Sequence, residues 1–282
     1  MESLKEKILD KKELRSLDKE FLQGFFEEEI SRNKKLFEAV ERKGFNERSK
    51  EFKELKKIIR KRLREVYGVF TDNPLSKEKK EKLLEELKEP GTEEKAIKKI
   101  LEAHLSSKER LPYYGSLYGA LFAEEKPNKI LDLGCGYNPF SYGYLGFNPK
   151  YVASDVSMED LEFIQRFFET KKIKGKTIKA DLAKEESLKK IIGESQEASI
   201  TFALKLLDTL EATKKGSSEK LLLSLKSPKI LVSFPKKTIS GKTSIKSERK
   251  WFQNIIMKML RKGYNTNIYV FGDEEYYLIS KN

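Results

Sequence analysis

The spacing of hydrophobic residues changes once along the chain. Up to about residue 105, apolar side chains recur every three or four residues, which is the period of amphipathic α-helices. The clearest run comprises Leu55, Ile58, Ile59, Leu63 and Val66. From Lys129 onward, short apolar runs alternate with helical segments, as in sheets with helices on both faces. The pattern therefore predicts an all-helical domain over residues 1–105 and an α/β domain over residues 106–282.

Breakers divide the first part of the chain into about four or five helices. Thr71-Asp72-Asn73-Pro74 and Pro90-Gly91-Thr92 interrupt the apolar period, because proline and glycine disfavour helix interiors. Ser76 and Thr92 are predicted to cap the two helices that follow these breaks. A single helix is then predicted over residues 106–122.

Seven strands are predicted in the α/β domain. Five of them alternate with helices: Lys129–Leu133, Tyr151–Asp155, Thr177–Asp181, Ala198–Leu204 and Lys229–Phe234. The last two, Asn267–Phe271 and Tyr276–Ser280, flank Gly272-Asp273-Glu274-Glu275, a spacing that indicates an antiparallel hairpin. We therefore expect a parallel sheet that ends in an antiparallel hairpin.

A glycine-containing turn follows the first predicted strand. There Asp132-Leu133-Gly134-Cys135-Gly136 leaves bare backbone against which a cofactor could lie, since Gly134 and Gly136 carry no Cβ and tolerate positive φ. Dinucleotides and S-adenosylmethionine (SAM) are both bound by such turns. The dinucleotide motif needs a third glycine three residues later, and Pro139 occupies that position. The turn therefore favours SAM, and by analogy the strand pattern matches the seven-stranded, Rossmann-like fold of class I SAM-dependent methyltransferases.

Acidic residues end three of the predicted strands. Asp132, Asp155 and Asp181 should meet at the carboxyl edge of the sheet, where such folds bind their ligands. Asp155 follows Asp132 at about the spacing (~20 residues) of an acid that binds ribose hydroxyls. Asp181 and Leu182 would lie beside the adenine. The alternative is that Asp155 and Asp181 only cap the helices that follow them.

The sequence lacks the usual groups for covalent or metal-assisted catalysis. Cys135 has only His104 as a possible partner base, so we do not expect a thiol nucleophile, and zinc-ligand spacing is absent. His104 is expected to be structural or to face RNA. Lys205 ends the fourth strand in a Leu-Lys-Leu-Leu segment, which argues against methylation of an adenine amine. We therefore expect no catalytic general base and no metal.

The composition favours a polyanionic partner. Lys and Arg outnumber Asp and Glu by 58 to 45, which gives a net charge of +13 and a pI near 9.4. Such a balance favours nucleic acid over a membrane surface, although thermophile proteins also carry dense surface charge. The single cysteine and the absence of a long apolar run lead us to expect a cytoplasmic protein without a membrane partner. We also expect a monomer.

Basic residues cluster in two places. One face of a predicted helix carries Lys53, Lys57, Arg60, Lys61 and Arg64 at helical spacing. The segment after the fifth strand carries Lys236, Lys237, Lys242, Lys246, Arg249 and Lys250, with Trp251 and Phe252 adjoining. Basic side chains beside aromatic ones suit RNA, whereas an ordinary solvated helix face is the alternative. Of these, Lys53, Lys57, Arg60, Lys61, Arg64, Lys236, Lys237 and Lys242 are the predicted RNA-binding residues.

Five segments together carry a resemblance to a known family. They are Lys61–Gly68 (KRLREVYG), His104–Leu111 (HLSSKERL), Asp132–Pro139 (DLGCGYNP), Thr201–Glu211 (TFALKLLDTLE) and Val232–Lys242 (VSFPKKTISGK). In these segments, and in the Trp251-Phe252 pair that follows them, the chain resembles the aminoglycoside-resistance 16S rRNA (guanine-N7) methyltransferases. The segment from Thr243 to Lys250 departs from that family's pattern.

The resemblance implies SAM-dependent methylation of a decoding-site guanine at N7, with the helical domain docked on the small ribosomal subunit. It also implies that Arg110 helps to hold the SAM carboxylate or to align the site. The predicted cofactor-binding residues are then Arg110, Asp132, Gly134, Cys135, Gly136, Asn138, Asp155, Asp181, Leu182 and Leu204. Lys205, Lys237 and Trp251 are the candidates to position the guanine. Two alternatives stay open: methylation of another RNA or atom, and a ribosome-assembly RNA binder without catalysis.

Overall fold

The computed structural model describes residues 19–63, 75–236 and 249–281. Contacts between Cα atoms divide the chain into two compact units, Met1–Thr71 and Asp72–Asn282. This division differs from the predicted boundary at residue 105, which lies inside the second unit. The difference arises because the helices that precede residue 105 contribute to the core of the second unit.

The described part of the first unit is helical, as predicted. It contains α1 (Lys19–Arg32), α2 (Lys34–Arg42) and α3 (Lys50–Leu63). Their buried apolar side chains include Phe26, Val40, Phe52, Leu55 and Ile59. The buried carboxylate of Glu29 accepts hydrogen bonds from Arg32 at 3.1 Å and from Arg62 at 3.3 Å, which ties α1 to the end of α3.

Four helices precede the sheet in the second unit: α4 (Lys77–Glu86), α5 (Glu93–Glu102), α6 (Leu105–Arg110) and α7 (Tyr114–Leu121). Ser76 caps α4, as predicted, by accepting a hydrogen bond from the Lys79 amide. Thr92 precedes α5 but makes no capping bond, because its hydroxyl donates to the Glu89 carbonyl instead. The predicted single helix over residues 106–122 is wrong, since Leu111–Tyr113 forms a 3₁₀ turn that contains Pro112.

The packing of α4 and α5 explains where the second unit begins. Leu83 and Leu84 of α4 and Ile100 of α5 belong to the same buried cluster as Tyr114 and Phe163. A helix whose apolar stripe is buried against a core belongs to that core, whatever its hydrophobic period. Among the helices of the described ranges, none combines the length and the apolarity that crossing a bilayer requires.

The sheet has seven strands: β1 (Lys129–Leu133), β2 (Lys150–Asp155), β3 (Gly175–Lys179), β4 (Ile200–Leu204), β5 (Lys229–Pro235), β6 (Tyr264–Phe271) and β7 (Glu274–Lys281). Their order is β3-β2-β1-β4-β5-β7-β6. The first five strands are parallel, and β7 pairs antiparallel with both β5 and β6. The predicted parallel sheet with a terminal antiparallel hairpin is confirmed.

Helices cover both faces of this sheet. One apolar cluster contains side chains from α4, α5, α7 and α8 (Met158–Thr170). The other contains side chains from α9 (Glu185–Ser195), α10 (Leu207–Thr213), α11 (Ser217–Ser224) and α12 (Lys250–Leu260). The carboxyl ends of β1 to β5 therefore meet at one edge, and the loops that follow them supply the site.

Strand β3 is placed differently from its prediction. Thr177–Asp181 was expected, whereas the strand runs from Gly175 to Lys179. Its last pair joins Lys179 to Asp155, the final residue of β2, so Asp181 lies beyond the ladder. The strand begins at Gly175, which packs closely on the Phe168 ring. A side chain would not fit there, because an added Cβ would lie 2.5 Å from a ring carbon.

Candidate functional site

The turn after β1 requires glycine at both positions. Gly134 has a φ of 56° and Gly136 a φ of 47°, values that other residues adopt only with strain. An added Cβ would lie 2.8 Å from Cδ1 of Leu206 at Gly134, and 2.6 Å from Nε2 of His104 at Gly136. Protein side chains therefore fill the space beside each glycine. The glycines are needed for this close packing rather than to leave that space for a ligand.

Asp155 fastens the turn to the end of β2. Its Oδ2 accepts a hydrogen bond from the Gly136 amide at 3.0 Å, and its Oδ1 accepts from the amides of Val156 at 2.7 Å and Ser157 at 3.2 Å. Burial raises the pKa of Asp155, although these amides oppose the shift. The capping alternative fails here, because Ser157 caps α8 through its bond with the Asp160 amide.

Asp181 lies just after β3 and is half-buried. Its Oδ1 accepts a hydrogen bond from the Ala183 amide at 3.1 Å, which closes a local turn. Lys184, not Asp181, stands at the start of α9, so the capping alternative fails here too. Leu182 is buried just beyond the end of β3, and Leu204 is the buried last residue of β4.

Asp132 and Asn138 form a buried polar network below the turn. Asp132 Oδ2 accepts hydrogen bonds from Tyr151 at 2.7 Å and from Asn138 Nδ2 at 2.9 Å, while Asn138 Oδ1 accepts from Tyr114 at 3.0 Å. Burial raises the pKa of Asp132 to about 7. Among the described residues, no partner reaches the buried Oδ1 of Asp132. The Asn138 amide, predicted to face the cofactor, is therefore engaged within the protein.

Cys135 is the buried residue between the two glycines of the turn. Burial raises the pKa of its thiol well above the usual value, so the side chain stays protonated. Its amide donates to the Ser154 carbonyl at 3.0 Å, which joins the turn to β2. These features agree with a structural residue and not with a thiolate nucleophile.

A buried network of charges lies between the ends of β4, β5 and the start of β7. Arg110 Nε donates to both carboxylate oxygens of Glu274, at 3.0 and 3.1 Å, and the Ser233 hydroxyl donates to the same carboxylate. Lys205 Nζ lies 3.4 Å from Glu274 and also hydrogen-bonds to Glu109. Burial would raise the pKa of Glu274, but Arg110 and Lys205 hold it below its usual value. Arg110 and Lys205 are thus brought together by one carboxylate.

The backbone at Lys205 is also unusual. This residue has a φ of 51°, in the left-handed region that non-glycine residues rarely adopt. Its amide donates to the Ser233 hydroxyl at 3.0 Å and to the Ser233 carbonyl at 3.1 Å. The strained backbone places the Lys205 side chain in the charge network at the carboxyl edge.

With this geometry established, the chain can be compared with known proteins. A family model described as ribosomal RNA methyltransferase (FmrO) matches residues 36–267. The chain belongs to this family. The 16S rRNA (guanine(1405)-N(7))-methyltransferase of Proteus mirabilis is 29% identical over 249 residues, which are 81% of this chain and 85% of that protein. A protein of the same name from Frankia casuarinae is 30% identical over 158 residues, which span 55% of this chain and 54% of that relative.

A solved structure confirms the fold of this family member. The 16S rRNA methyltransferase RmtF, in complex with S-adenosyl-L-homocysteine, superposes with a TM-score of 0.74 at 22% identity. The match covers 100% of this chain and 98% of RmtF. The predicted class I methyltransferase fold, preceded by a helical region, is therefore confirmed.

Five of the predicted RNA-binding residues of this rRNA methyltransferase lie within the described ranges. Lys53, Lys57 and Lys61 are exposed along α3, and Arg60 is half-buried. Lys236 is exposed just after β5. Three predicted residues lie outside the described residues: Arg64, Lys237 and Lys242.

Trp251 packs on the methyltransferase core instead of standing free. Its ring meets that of Phe234 edge-on at 6.1 Å, and Arg249 lies 4.3 Å above the same Phe234 ring. Arg249 also forms a two-pronged ion pair with Asp208, at 2.9 and 2.7 Å. Trp251 borders a surface cleft of about 490 Å³ that is also lined by Lys215, by Glu219 of α11 and by residues of α12. The contacts of Arg249 give it a structural role that the sequence alone did not show.

Sequence reasoning missed the partners that organise this methyltransferase site. Glu109 and Glu274 stood in segments that were interpreted as part of a helix and as part of a turn. Glu274 is in fact the first residue of β7 and pairs with Pro235 of β5. A strand assignment that began two residues earlier would have placed this acid beside the end of β5.

His104 gives a testable pH dependence of stability. Its side chain is half-buried, and desolvation of the ring lowers its pKa from the usual 6.5 to about 4, so it is neutral when folded and takes up a proton on unfolding. The stability that this neutral form contributes is complete above pH 6.5 and is lost as the pH falls towards 4. We expect the stability difference between wild type and His104→Gln to shrink by about 2 kcal/mol between pH 7.5 and pH 5.

Urea unfolding of both proteins at the two pH values measures this change. Asp132, whose pKa is shifted in the opposite direction, titrates in both proteins and cancels from the difference. A difference that is independent of pH would contradict a desolvated, neutral His104.

Proposed function

We propose that this chain transfers a methyl group from SAM to N7 of a guanine in 16S rRNA. The observation that carries the proposal is the family match over residues 36–267, which spans about half of the first unit and most of the second. The relatives from Proteus mirabilis and Frankia casuarinae bear the name of this reaction. The clamped turn after β1 supports the proposal, because it lies where this fold binds its cofactor.

The residues at the carboxyl edge fit SAM. Asp155 and Asp181 present half-buried carboxylates that suit ribose hydroxyls and the adenine amine, respectively. Asp132 adds a buried oxygen that has no partner within the described ranges. Arg110, already paired with Glu274, is the proposed contact of the SAM carboxylate. When bound, SAM supplies an electrophilic methyl group on a sulfonium.

The chain does not need a general base for this reaction. Guanine N7 carries an available lone pair and no proton, so forming the N–CH₃ bond while the S–CH₃ bond breaks releases S-adenosylhomocysteine without proton abstraction. What the protein must supply is position, with a flipped guanine aligned to the methyl group. Lys205 at the charge network, together with Lys237 and Trp251, is proposed to hold the guanine and its phosphates.

The first unit is proposed to dock on the small ribosomal subunit. Lys53, Lys57 and Lys61 form an exposed basic row on α3, which suits RNA phosphates. Methylation at the decoding site, and aminoglycoside resistance as its consequence, follow as the finer parts of this proposal. These parts rest on the family resemblance carried by the five sequence segments and on the basic row.

Methylation of purified small ribosomal subunits tests this proposal. Purified 30S subunits are incubated with the protein and SAM, cleaved with borohydride and aniline, and mapped by primer extension. We expect a SAM-dependent stop at one decoding-site guanine, because only N7-methylated guanine is cleaved. Incubation without SAM is the control. Tritium transfer from labelled SAM without such a stop would favour another atom or RNA, and no transfer at all would favour a binding protein.

A further inference from the structure

A lysine is buried where α4 packs on α8. Lys80 has only 6% of its surface exposed. Its Nζ lies 2.7 Å from Oε1 of Glu159 and 2.9 Å from Oδ1 of Asp160, and it faces the Phe163 ring at 5.6 Å from the centroid. Burial opposes the charge, but Asp160 and Glu159 raise the pKa of Lys80, so the ammonium persists. Burying a lysine is costly unless its charge is paired, as it is here.

Asp160 connects this lysine to the turn after β1. The same Oδ1 that accepts from Lys80 also accepts a hydrogen bond from the Tyr137 hydroxyl at 3.0 Å. Tyr137 follows Gly136 directly and is buried. Two consecutive contacts therefore lead from α4 to the glycine turn.

The turn is held from three directions. Asp155 binds the Gly136 amide from β2, and Asp160 binds Tyr137 from α8. His104, between α5 and α6, fills the space beside Gly136, and its ring lies 5.4 Å from that of Tyr137. The supports from Asp155 and Asp160 are hydrogen bonds, which apolar side chains that only filled space could not make.

We propose that Lys80 is a positioning residue for the cofactor, holding the glycine turn in its binding conformation through Asp160 and Tyr137. The proposal rests on the proposed use of SAM and adds a residue from a helix that the hydrophobic period had placed in another domain. The side-chain hydrogen bonds of Lys80 to other described residues go to Glu159 and Asp160 rather than to the turn. Its effect is transmitted by the carboxylate that it shares with Tyr137.

Charge explains why the lysine matters to the tyrosine. Glu159 and Asp160 are adjacent acids in the first turn of α8, close in sequence to Asp155. Without Lys80, repulsion among them favours rotation of Asp160 towards water, which would release the Tyr137 hydroxyl. The turn would then adopt several conformations. SAM affinity would fall, because only a fraction of the molecules would have the turn in its binding conformation.

SAM titration by calorimetry tests this proposal on the full-length protein. We expect Lys80→Met to raise the dissociation constant of SAM about tenfold, the size of one lost charge-assisted contact. The rate of rRNA methylation at saturating SAM should stay within about twofold, because the reacting groups are unchanged. Lys80→Arg keeps the charge and should restore most of the affinity. Lys79→Met, an exposed neighbour on α4, is the matched control and should bind SAM as the wild type does.

A double-mutant cycle separates positioning from a general loss of stability. If Lys80 acts through Tyr137, then adding Lys80→Met to Tyr137→Phe should weaken SAM binding by less than about twofold further. Full additivity of the two changes would overturn the proposal, as would unchanged SAM affinity in Lys80→Met or an equal loss in Lys79→Met. Absence of SAM binding by the wild type would overturn the proposed function itself, and this proposal with it.

Discussion

Replacing Glu274 with glutamine is expected to destabilise the chain by about 3–5 kcal/mol, because it leaves two buried cations without their shared anion. Arg110 and Glu274 are only 3% and 4% exposed, and Lys205 lies in the same network. A glutamine amide would also present N–H donors to the donors of Arg110. Because these side chains are almost fully buried, water can compensate only a small part of the loss.

Chemical denaturation at pH 7 measures the loss. Glu275→Gln is the matched control, because Glu275 is the next residue in the chain. Its side chain is half-buried and accepts a hydrogen bond from the Tyr277 hydroxyl at 3.3 Å. We expect the control to cost less than about 1 kcal/mol. Because the pKa of Glu274 is depressed, its contribution is present at neutral pH and fades as the pH falls through its folded pKa. Equal losses in the two variants would show that Glu274 does not hold the network together.

Gly136→Ala is expected to lower stability by about 3 kcal/mol and to weaken SAM binding about a hundredfold. Two costs add at this position. The φ of 47° strains any residue with a Cβ, and that Cβ would lie 2.6 Å from Nε2 of the His104 ring. The ring or the turn must move, and the turn carries the amide that Asp155 binds.

Gly146→Ala separates these two costs. Gly146 has a φ of 72°, yet an added Cβ there meets nothing within 4 Å. Backbone strain alone should then cost about 1 kcal/mol, with SAM affinity unchanged. In the Gly136→Ala background, the further change His104→Ala should cause little additional loss of stability, because it removes the ring that the methyl group meets. If the two glycine variants behave alike, close approach of His104 is not what constrains the turn.

The elements of the fold could be predicted because their signals are local. The alternation of strands and helices, and the turn between the last two strands, can each be recognised from a short run of consecutive residues. The domain boundary could not be predicted from local signals, because α4 and α5 have the same hydrophobic period as the helices of the first unit. Which core such a stripe is buried against is decided by tertiary contacts of residues such as Leu83 and Ile100.

The candidate site shows the same division between local and distant information. Asp155 was found because it ends a strand, a position that sequence reveals. Its role in binding the Gly136 amide, and the use of Asn138 inside the protein, depend on which strands are neighbours. Glu274 is far along the chain from Arg110 and stands beside it only because β7 is inserted between β5 and β6.

The membership of α4 and α5 in the second unit has a consequence for how relatives of this protein diverge. The core on which the glycine turn is built contains side chains of α4 and α5, such as Leu83 and Ile100, and Lys80 of α4 bonds to Asp160. Substitutions in α4 and α5 therefore disturb the support of the turn. Exchange of N-terminal segments between relatives is therefore best tolerated when the crossover falls before α4 rather than after α5.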